Sequence, residues 1–338
     1  MARKATAQDV ADLAGVSRSA VSLVLNGRAA GNIGPAKQQA VLAAAEQLRY
    51  TPNAVALSLR SQRTRTLGVL TWPGRAGFAQ VMLHRALHKA GELGYLLLVV
   101  DTHGDHDVER RKLETLCDRQ VDGFLVVAPE LVHYRPAEVL VSAPTVLLNC
   151  LDPDAGVTSA VPDELEAGRL AAEVLLQQQH QRIRLLVSDP ETLQTRLRVA
   201  GVQQALRESG SVVAEPVCVE RAIDAGFHAA RRLLLEPVRP TALICAHERV
   251  AVGATLAAAD LGVAIPTALS VVSLEDGEKL AKSVAPALTT VHRPDRLMTE
   301  QAVVLLVEQL AAGAPGDVKQ LLFSCPVRHR ASVAAAQP

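Results

Sequence analysis

The residues with the most informative chemistry lie in the first 26 positions of the 338-residue chain. Four of them fall at spacings that place them on the outward face of a short helix. They are Arg18, Ser19, Ser22 and Leu23. Arginine and serine side chains make hydrogen bonds to base edges and phosphates. Two short helices joined by a tight turn are a common way to present such a face to the major groove of DNA.

The neighbouring residues predict the helices that would hold this face. Thr6 can cap a first helix, with Asp9 closing a capping box, and Ser17 can cap the second helix after a turn at Gly15. A third helix is predicted from Pro35 to Arg49. The residues expected to face the core are Val10, Leu13, Ala14, Val21, Val24, Leu25, Val41, Leu42, Ala45 and Leu48. A small helical bundle with no role in DNA binding is the alternative interpretation.

The distribution of charge favours a nucleic-acid partner for this segment. Residues 1–65 contain nine Lys and Arg against three Asp and Glu, a net charge of +6. Residues 66–338 contain 26 against 32, a net charge of −6, so the balanced total conceals a basic head and an acidic body. Cations concentrated in one small domain suit a phosphate backbone, which would repel the acidic body.

The rest of the chain alternates strand-like apolar runs with helical patterns. Strands are predicted near residues 67–71, 95–101, 123–128, 145–149, 183–188, 213–219, 242–246 and 269–274. Helices are predicted near residues 78–93, 106–120, 163–180, 193–209, 225–236, 249–261 and 294–312. This alternation is typical of an α/β fold with doubly wound parallel sheets, and the similarity of residues 121–127 to 240–246 indicates two related lobes. Ligands of such folds bind beyond the carboxyl ends of the strands, so we expect a pocket in the cleft between the lobes.

Two segments carry a resemblance to a known family. Gln8–Asn26 and Tyr50–Arg60 resemble the lactose-repressor (LacI/GalR) family of bacterial transcriptional regulators. Similarities near residues 179–183, 198–201, 252–254 and 286–291 extend the resemblance over nearly the whole chain. It implies a repressor that binds a near-palindromic operator as a dimer, under the control of a small effector.

The resemblance also implies a domain organisation. It places a helix-turn-helix head in residues 1–51, a hinge helix and linker in 52–65, and a periplasmic-binding-protein-like core for effector binding and dimerisation in 66–338. The first lobe of this core would comprise about 66–160 and 292–323, and the second about 161–291 and 324–338.

Specific residues of the head and hinge correspond to DNA-contacting positions of that family. The resemblance makes Arg18 and Ser19 the leading base readers, with Arg18 forked onto a guanine. Leu23 departs from the polar or basic residue often found there and could contact a thymine methyl group. Ala56 would let two hinge helices approach closely, and Leu59 would be the wedge that opens the central base step in the minor groove. The other implied contact or positioning residues are Thr6, Ser17, Ser22, Asn26, Tyr50 and Asn53. Two alternatives remain. Arg18 could contact a phosphate instead of a base, and residues 52–60 could form a plain linker instead of a hinge helix.

The implied effector pocket departs from the family pattern at several positions. Its residues would be Trp72, Phe78, Asn149, Arg198, Arg221, His247 and Glu275. Arg198 matches an arginine that grips the effector, whereas His247 and Glu275 replace the usual Asn and Asp, and Arg221 replaces an aromatic residue. One interpretation is an anionic effector, such as a sugar acid or sugar phosphate, bound by the cations. The other is a neutral sugar held by a rearranged set of hydrogen bonds, or an atrophied or non-sugar site.

Other classes of function find little support in the sequence. There is no dinucleotide or P-loop glycine motif and no Gly-x-Ser-x-Gly turn, so no catalytic residue or cofactor is predicted. An α/β enzyme with an appended DNA-binding head is the alternative of another class. His84 and His88, four residues apart, are interpreted as surface residues rather than metal ligands.

The cysteines and the apolar segments indicate the compartment. Five scattered cysteines without a Cys-x-x-Cys pair do not form a disulfide framework, and the basic amino terminus lacks a signal segment. No apolar stretch approaches the roughly 20 residues that span a bilayer. The sequence therefore predicts a cytoplasmic protein without a membrane partner. The alanine-rich tail from Ala331 to Pro338 has no heptad pattern, which favours a homodimer over a tetramer.

Overall fold

The computed structural model of the protein describes residues 5–27, 29–50, 63–73, 78–277, 280–313 and 317–337, and the side chain of Phe78 lies outside this set. The chain divides into two compact units, Met1–Arg65 and Thr66–Pro338.

Three helices form the first unit: α1 (Ala7–Ala14), α2 (Arg18–Leu25) and α3 (Pro35–Gln47). The predicted capping box of α1 is confirmed, because Asp9 N–H donates to Thr6 Oγ1 and Thr6 N–H donates to the Asp9 carboxylate. Gly15 ends α1 with φ +64°, in the left-handed region that glycine favours. Ser17 caps α2 as predicted, and its Oγ accepts a hydrogen bond from the N–H of Ala20 at 3.2 Å.

The core of the first unit lacks two of the predicted residues and gains three alanines that were not predicted, Ala11, Ala29 and Ala44. Leu13 and Leu42 are each about half exposed, so the prediction that they are buried was wrong. The inward stripe of α1 is centred on Val10 and Ala11, which leaves Leu13 on its flank. The buried residues of this core are Val10, Ala11, Val21, Val24, Ala29, Val41, Ala44 and Ala45. Because α2 contributes Val21 and Val24 to this core, its opposite face is turned outward.

The second unit contains eight described helices and twelve described strands. The helices are α4 (Phe78–Glu92), α5 (His106–Asp118), α6 (Glu138–Ser142), α7 (Glu164–Leu176), α8 (Leu193–Glu208), α9 (Ile223–Leu234), α10 (Glu248–Asp260) and α11 (Asp295–Ala312). The strands are β1 (Thr66–Thr71), β2 (Leu96–Asp101), β3 (Gly123–His133), β4 (Thr145–Leu151), β5 (Thr158–Pro162), β6 (Ile183–Val187), β7 (Val217–Cys218), β8 (Ala242–Cys245), β9 (Ser270–Ser273), β10 (Thr289–Val291), β11 (Gln320–Phe323) and β12 (Val327–Arg328).

These strands form two six-stranded sheets, which confirms the predicted α/β class with two lobes. The orders are β11-β5-β4-β3-β1-β2 in the first lobe and β12-β10-β9-β8-β6-β7 in the second. Among the described pairs, only β10–β12 is antiparallel. Apolar clusters cover both faces of each sheet. In the first lobe, α4 and α11 pack against one face of the sheet, and α5 and α6 pack against the other face. In the second lobe, α7 and α8 cover one face of the sheet, and α9 and α10 cover the other. The chain crosses between the lobes after β5, after β10 and after β11.

The strands that the sequence did not predict are short or poor in apolar residues. They are β5, β10, β11 and β12. The strand predicted over residues 213–219 is confined to Val217–Cys218, at the edge of its sheet. Such strands are held by their neighbours more than by their own composition, so periodicity alone misses them.

Two helix pairs of the second lobe pack at unusually short distance through glycines. A Cβ on Gly201 of α8 would overlap the carbonyl oxygen of Leu165 in α7, and a Cβ on Gly168 would overlap that of Arg198. α9 and α10 meet in the same way through Gly226 and Gly253. This approach brings Arg198 against the start of α7, where the charged cluster described below is built. Among the described residues, no helix combines the length and apolar character needed to cross a membrane.

Candidate functional site

The outward face of α2 in the first unit carries the residues predicted to contact DNA. Arg18 and Ser19 are exposed, and Ser22 and Leu23 are half-buried. Ser19 Oγ lies 2.9 Å from Ser17 Oγ, and Asn26 Nδ2 donates to the Ser22 carbonyl oxygen at 2.7 Å. These bonds fix the short side chains at both ends of the helix, while the long Arg18 side chain extends from its first turn.

Two of the remaining predicted DNA-contact residues lie elsewhere in the described part of the first unit. Thr6 is engaged in the capping box of α1, and Tyr50 packs against the core of the unit. Asn53, Ala56 and Leu59 lie outside the described residues.

In the second unit, polar side chains gather where the carboxyl ends of the parallel strands of the two lobes meet. A cavity of about 110 Å³ lies there. It is lined by Pro129, Glu130, Ser188, Asp189, Thr192, Gln194, Thr195, Arg221 and His247. We call it the cleft cavity. Pro129 and Glu130 belong to β3 of the first lobe, and the other lining residues follow strands of the second lobe.

Arg198 lies beside this cavity but is fully engaged inside the protein. Its side chain is 2% exposed. Nε donates to Glu164 Oε2 at 2.6 Å and Nη2 donates to Glu164 Oε1 at 3.1 Å. Nη1 donates to the carbonyl oxygen of Ala246 at 2.8 Å. Burial by itself would lower the pKa of Arg198, but the carboxylates of Glu164 and Glu275 outweigh it and raise that pKa. The guanidinium is therefore permanently charged and already paired.

Glu275 is the second carboxylate of this cluster. It accepts two hydrogen bonds from Arg221 Nη2, at 3.0 and 2.9 Å, and its Oε1 lies 3.0 Å from His247 Nδ1. Arg198 Nη1 is 3.8 Å away. Burial would raise the pKa of Glu275, yet His247, Arg221 and Arg198 together hold it far below its ordinary value. Glu248, the neighbour of His247 at the start of α10, accepts a hydrogen bond from the N–H of Ala281.

The charged cluster reaches the segments that connect the lobes. Glu164 begins α7 directly after the first crossover, and Arg293 in the second crossover donates from Nε to Asp295 Oδ1 at 2.6 Å. Burial would lower the pKa of Arg293, but Asp295 and Glu164 outweigh it. Cys325 lies in the third crossover, and burial raises the pKa of its thiol to about 12. The charges of Glu164, Arg198 and Arg293 also act on this thiol, so the third crossover lies close to the cluster. All three crossovers thus meet around Glu164 and Arg198.

Three other predicted pocket residues belong to the first lobe. Asn149 is buried at φ +61°, its Nδ2 donates to the Ala128 carbonyl oxygen at 3.0 Å, and its Oδ1 has no hydrogen-bond partner among the described residues. Trp72 stacks on Tyr134 with ring centroids 5.9 Å apart, so that face of its ring is occupied by the protein. The side chain of Phe78 lies outside the described residues. Of the six predicted residues whose side chains the structure describes, Arg221 and His247 line the cleft cavity.

Several residues of the site were not singled out from the sequence. Ser188 and Gln194 line the cavity, and Ser188 Oγ is buried without a partner in the described part of the chain. Both follow the carboxyl end of β6, and the rule that ligands bind beyond strand ends could have found them. No sequence motif around Glu164 or Arg293 indicated a role in the site, because both act through charged groups that are distant in sequence.

Two family models match the chain. The model for bacterial regulatory proteins of the lacI family matches residues 6–53. The model for a periplasmic binding protein-like domain matches residues 172–333.

Individual relatives match over most of their length. The ribose operon repressor of Escherichia coli (strain K12) is 32% identical over 90% of this chain and 93% of its own. The HTH-type transcriptional repressor PurR of Haemophilus influenzae (strain PittEE) is 29% identical over 90% of this chain and 91% of its own. Among solved structures, the lac repressor dimer bound to operator and the anti-inducer ONPF superposes with a TM-score of 0.78 at 25% identity, covering 98% of this chain and all of that one.

Proposed function

The chain belongs to the LacI family of bacterial regulatory proteins, and from this membership we propose that it binds its operator as a homodimer under the control of a small, uncharged, polyhydroxylated effector. As a member it is a DNA-binding transcriptional repressor with a periplasmic-binding-protein-like effector domain, and its relatives are repressors rather than enzymes. The proposal concerns the chemistry of the effector, the residues that contact it and the DNA, and the surface that pairs two chains.

The observation that carries the effector proposal is the internal pairing of the cations at the cleft. Arg198 is bound by Glu164, Arg221 by Glu275, and Arg293 by Asp295. A phosphate or carboxylate entering the cavity would meet compensated cations and two further acids of the wall, Glu130 and Asp189. Burial of an anion without a free cation is costly, so this arrangement disfavours an anionic effector.

The cavity wall suits hydroxyl groups instead. Glu130 and Asp189 can accept hydrogen bonds from a ligand, while Gln194 and the unpartnered Ser188 Oγ can both donate and accept them. The volume of about 110 Å³ is well below the 300–1,000 Å³ of drug-sized sites, which favours one sugar ring over a disaccharide. The similarity to the ribose operon repressor supports a pentose as the first candidate.

Thermal denaturation with a ligand panel tests this proposal. We expect a rise of several degrees in Tm with a neutral monosaccharide, because ligand at 100 times its Kd stabilises the folded state by about 2.7 kcal/mol. Sugar acids, sugar phosphates and purines should leave Tm unchanged. The variant Gln194→Leu should reduce the shift, whereas Gln204→Leu, on an exposed part of the same helix α8, should not. A shift with acids or phosphates alone would contradict the proposal.

Operator recognition is proposed for the outward face of α2. Arg18 extends from the first turn of α2, exposed beside Ser19, where a bidentate contact with guanine can form. Ser17, Ser22 and Asn26 are braced by their own hydrogen bonds, which suits groups that fix register on the backbone. The proposed minor-groove wedge, Leu59, lies outside the described residues.

Dimerisation is proposed through the edge of the first-lobe sheet. β2 is the last strand of that sheet, and its Leu96 is 72% exposed, with Leu98 and Val99 also exposed. Val81 and Leu87 of α4 are exposed as well. A long apolar edge strand left open to solvent pairs with other chains or aggregates, so a covered interface is its expected fate.

The variant Leu96→Asp is expected to dissociate this dimer. Each chain would contribute one buried charge in place of a leucine, and the dimer dissociation constant should rise about 100-fold or more. Sedimentation equilibrium measures the change directly. Val141→Asp, which alters an exposed apolar residue of α6, is the matched control and should remain dimeric. If Val141→Asp dissociated and Leu96→Asp did not, the interface would lie elsewhere.

A further inference from the structure

A second cavity lies at the opposite end of the second lobe from the cleft. It has a volume of about 400 Å³, within the range of small-molecule sites. Its lining includes Arg182, Ile183, Arg184, Val212 and Val238. We call it the distal pocket. It surrounds the amino-terminal end of β6, whereas the cleft cavity lies beyond the carboxyl end of the same strand.

One side of the distal pocket is apolar and open to solvent. Val212 is 77% exposed and Val238 is 73% exposed, although both are large aliphatic residues. Ile183, Ala214 and Pro240 continue this apolar wall. Exposed aliphatic side chains that converge on one concave site are a feature of ligand pockets more than of ordinary surface.

The polar side of the pocket carries one uncompensated positive charge. Arg184 Nη1 is 3.1 Å from Glu236 Oε2, so this pair is neutral. Arg182 Nε donates to the Arg239 carbonyl oxygen at 3.1 Å, and no carboxylate in the described part of the chain lies within ion-pair distance of Arg182. The described residues that line the pocket include no acid. Arg184 Nε is buried and has no hydrogen-bond acceptor among the described residues, so the wall also contains an unsatisfied donor.

We propose that the distal pocket binds an amphiphilic monocarboxylate with a short unbranched chain. The carboxylate would pair with Arg182, which matches the single net charge, and the chain would lie along Val212 and Val238. A neutral apolar ligand would leave the Arg182 charge unused, and a dianion would exceed the charge available. The concave shape and its volume select a small molecule over a flat protein surface.

The distal pocket has a structural connection to the cleft. Helix α8 starts at Leu193, beside the cleft-lining Gln194, and ends at Glu208, next to Ser209 in the wall of the distal pocket. Arg198, in the first half of this helix, is bound to Glu164. One rigid element thus spans both cavities.

Calorimetric titration of the full-length protein with octanoate tests the proposal. We expect saturable binding of one octanoate per chain and a rise in Tm, with no binding of octylammonium or acetate at equal concentration. Octylammonium keeps the chain but reverses the charge, and acetate keeps the charge but lacks the chain. Arg182→Gln should weaken octanoate binding about ten-fold, since it removes one charge-assisted pair. Val212→Asp should weaken it at least as much, because it sets a carboxylate against the ligand.

Two variants locate the bound octanoate. Arg207→Gln removes an exposed cation of α8 outside the pocket, and Arg221→Gln alters the cleft cavity. Both should bind octanoate as the parent protein does. Equal binding of octylammonium, loss of binding in Arg221→Gln, or unchanged binding in Arg182→Gln would each overturn the proposal. The Tm of each variant without ligand verifies that it is folded.

Discussion

The substitution Glu164→Ala is expected to lower the free energy of unfolding by about 3–5 kcal/mol, because it leaves a buried guanidinium without its carboxylate. Arg198 is 2% exposed and Glu164 is 1% exposed, so water cannot replace the lost partner. Glu275 lies 3.8 Å from Arg198 but is already bound by Arg221 and His247, so it compensates only part of the charge. Equilibrium unfolding in urea measures the loss directly.

A double variant separates the pair from its surroundings. Glu164→Leu combined with Arg198→Met should recover much of the stability lost in Glu164→Ala, since replacing a buried ion pair by apolar groups is often neutral. Arg169→Gln is the matched control, because Arg169 lies on the same helix and pairs with Glu166 and Glu173 near the surface. Its cost should stay within about 1 kcal/mol. If Glu164→Ala cost no more than Arg169→Gln, the cluster would not be a structural centre of the core.

The location of this pair gives it a second consequence. Glu164 follows the first crossover directly, and Arg293 in the second crossover responds to its charge. Arg198 is thereby held as a positioning residue, which fixes α8 relative to the connections between the lobes. Allosteric coupling requires two arrangements that an effector distinguishes by its contacts. The charged cluster joins the cleft wall to all three crossovers. A change in its contacts is therefore a suitable way for effector binding to change the arrangement of the two lobes.

The sequence predicted what depends on local geometry. The Thr6 and Asp9 capping box, the turn at Gly15 and the cap at Ser17 each involve residues within a few positions of one another, and all three are present. The alternation of helices and strands likewise predicted the doubly wound class. Leu13 and Leu42 were misplaced because helical spacing gives the width of an apolar stripe, whereas packing decides which of its edges is buried.

The pocket was less predictable because its chemistry depends on distant partners. The resemblance made Arg198 an effector contact, but its carboxylate partner is Glu164, which is 34 positions earlier. Spacing cannot indicate such a pair. Arg221 and Glu275 were both expected in the pocket, and their hydrogen bonds to each other change the charge that a ligand would meet. The residue types alone therefore left an anionic and a neutral effector both open, and the pairing is the ground on which we propose a neutral one.

The substitution Arg18→Ala is expected to give the largest loss of operator affinity. One bidentate contact to guanine is worth about 1–3 kcal/mol of discrimination, and a dimer on a near-palindromic operator makes it twice, so the loss is about 2–6 kcal/mol. Arg18 is exposed at the start of α2 and is not needed for the caps that hold the helix. The head should therefore remain folded. Titration of labelled operator at fixed salt, beside a scrambled duplex, gives both affinities.

The ratio of these two affinities decides between base reading and phosphate binding by Arg18. If it reads a base, Arg18→Ala weakens operator binding far more than binding to the scrambled duplex, and selection from a random library shows relaxed preference at one base pair in each half-site. Lys37→Ala, which removes an exposed cation of α3, is the control and should leave the ratio unchanged. Equal losses on both duplexes for Arg18→Ala would assign its guanidinium to the phosphate backbone. Recognition would then have to come from Ser19 and Leu23, because they complete the outward face of the same helix.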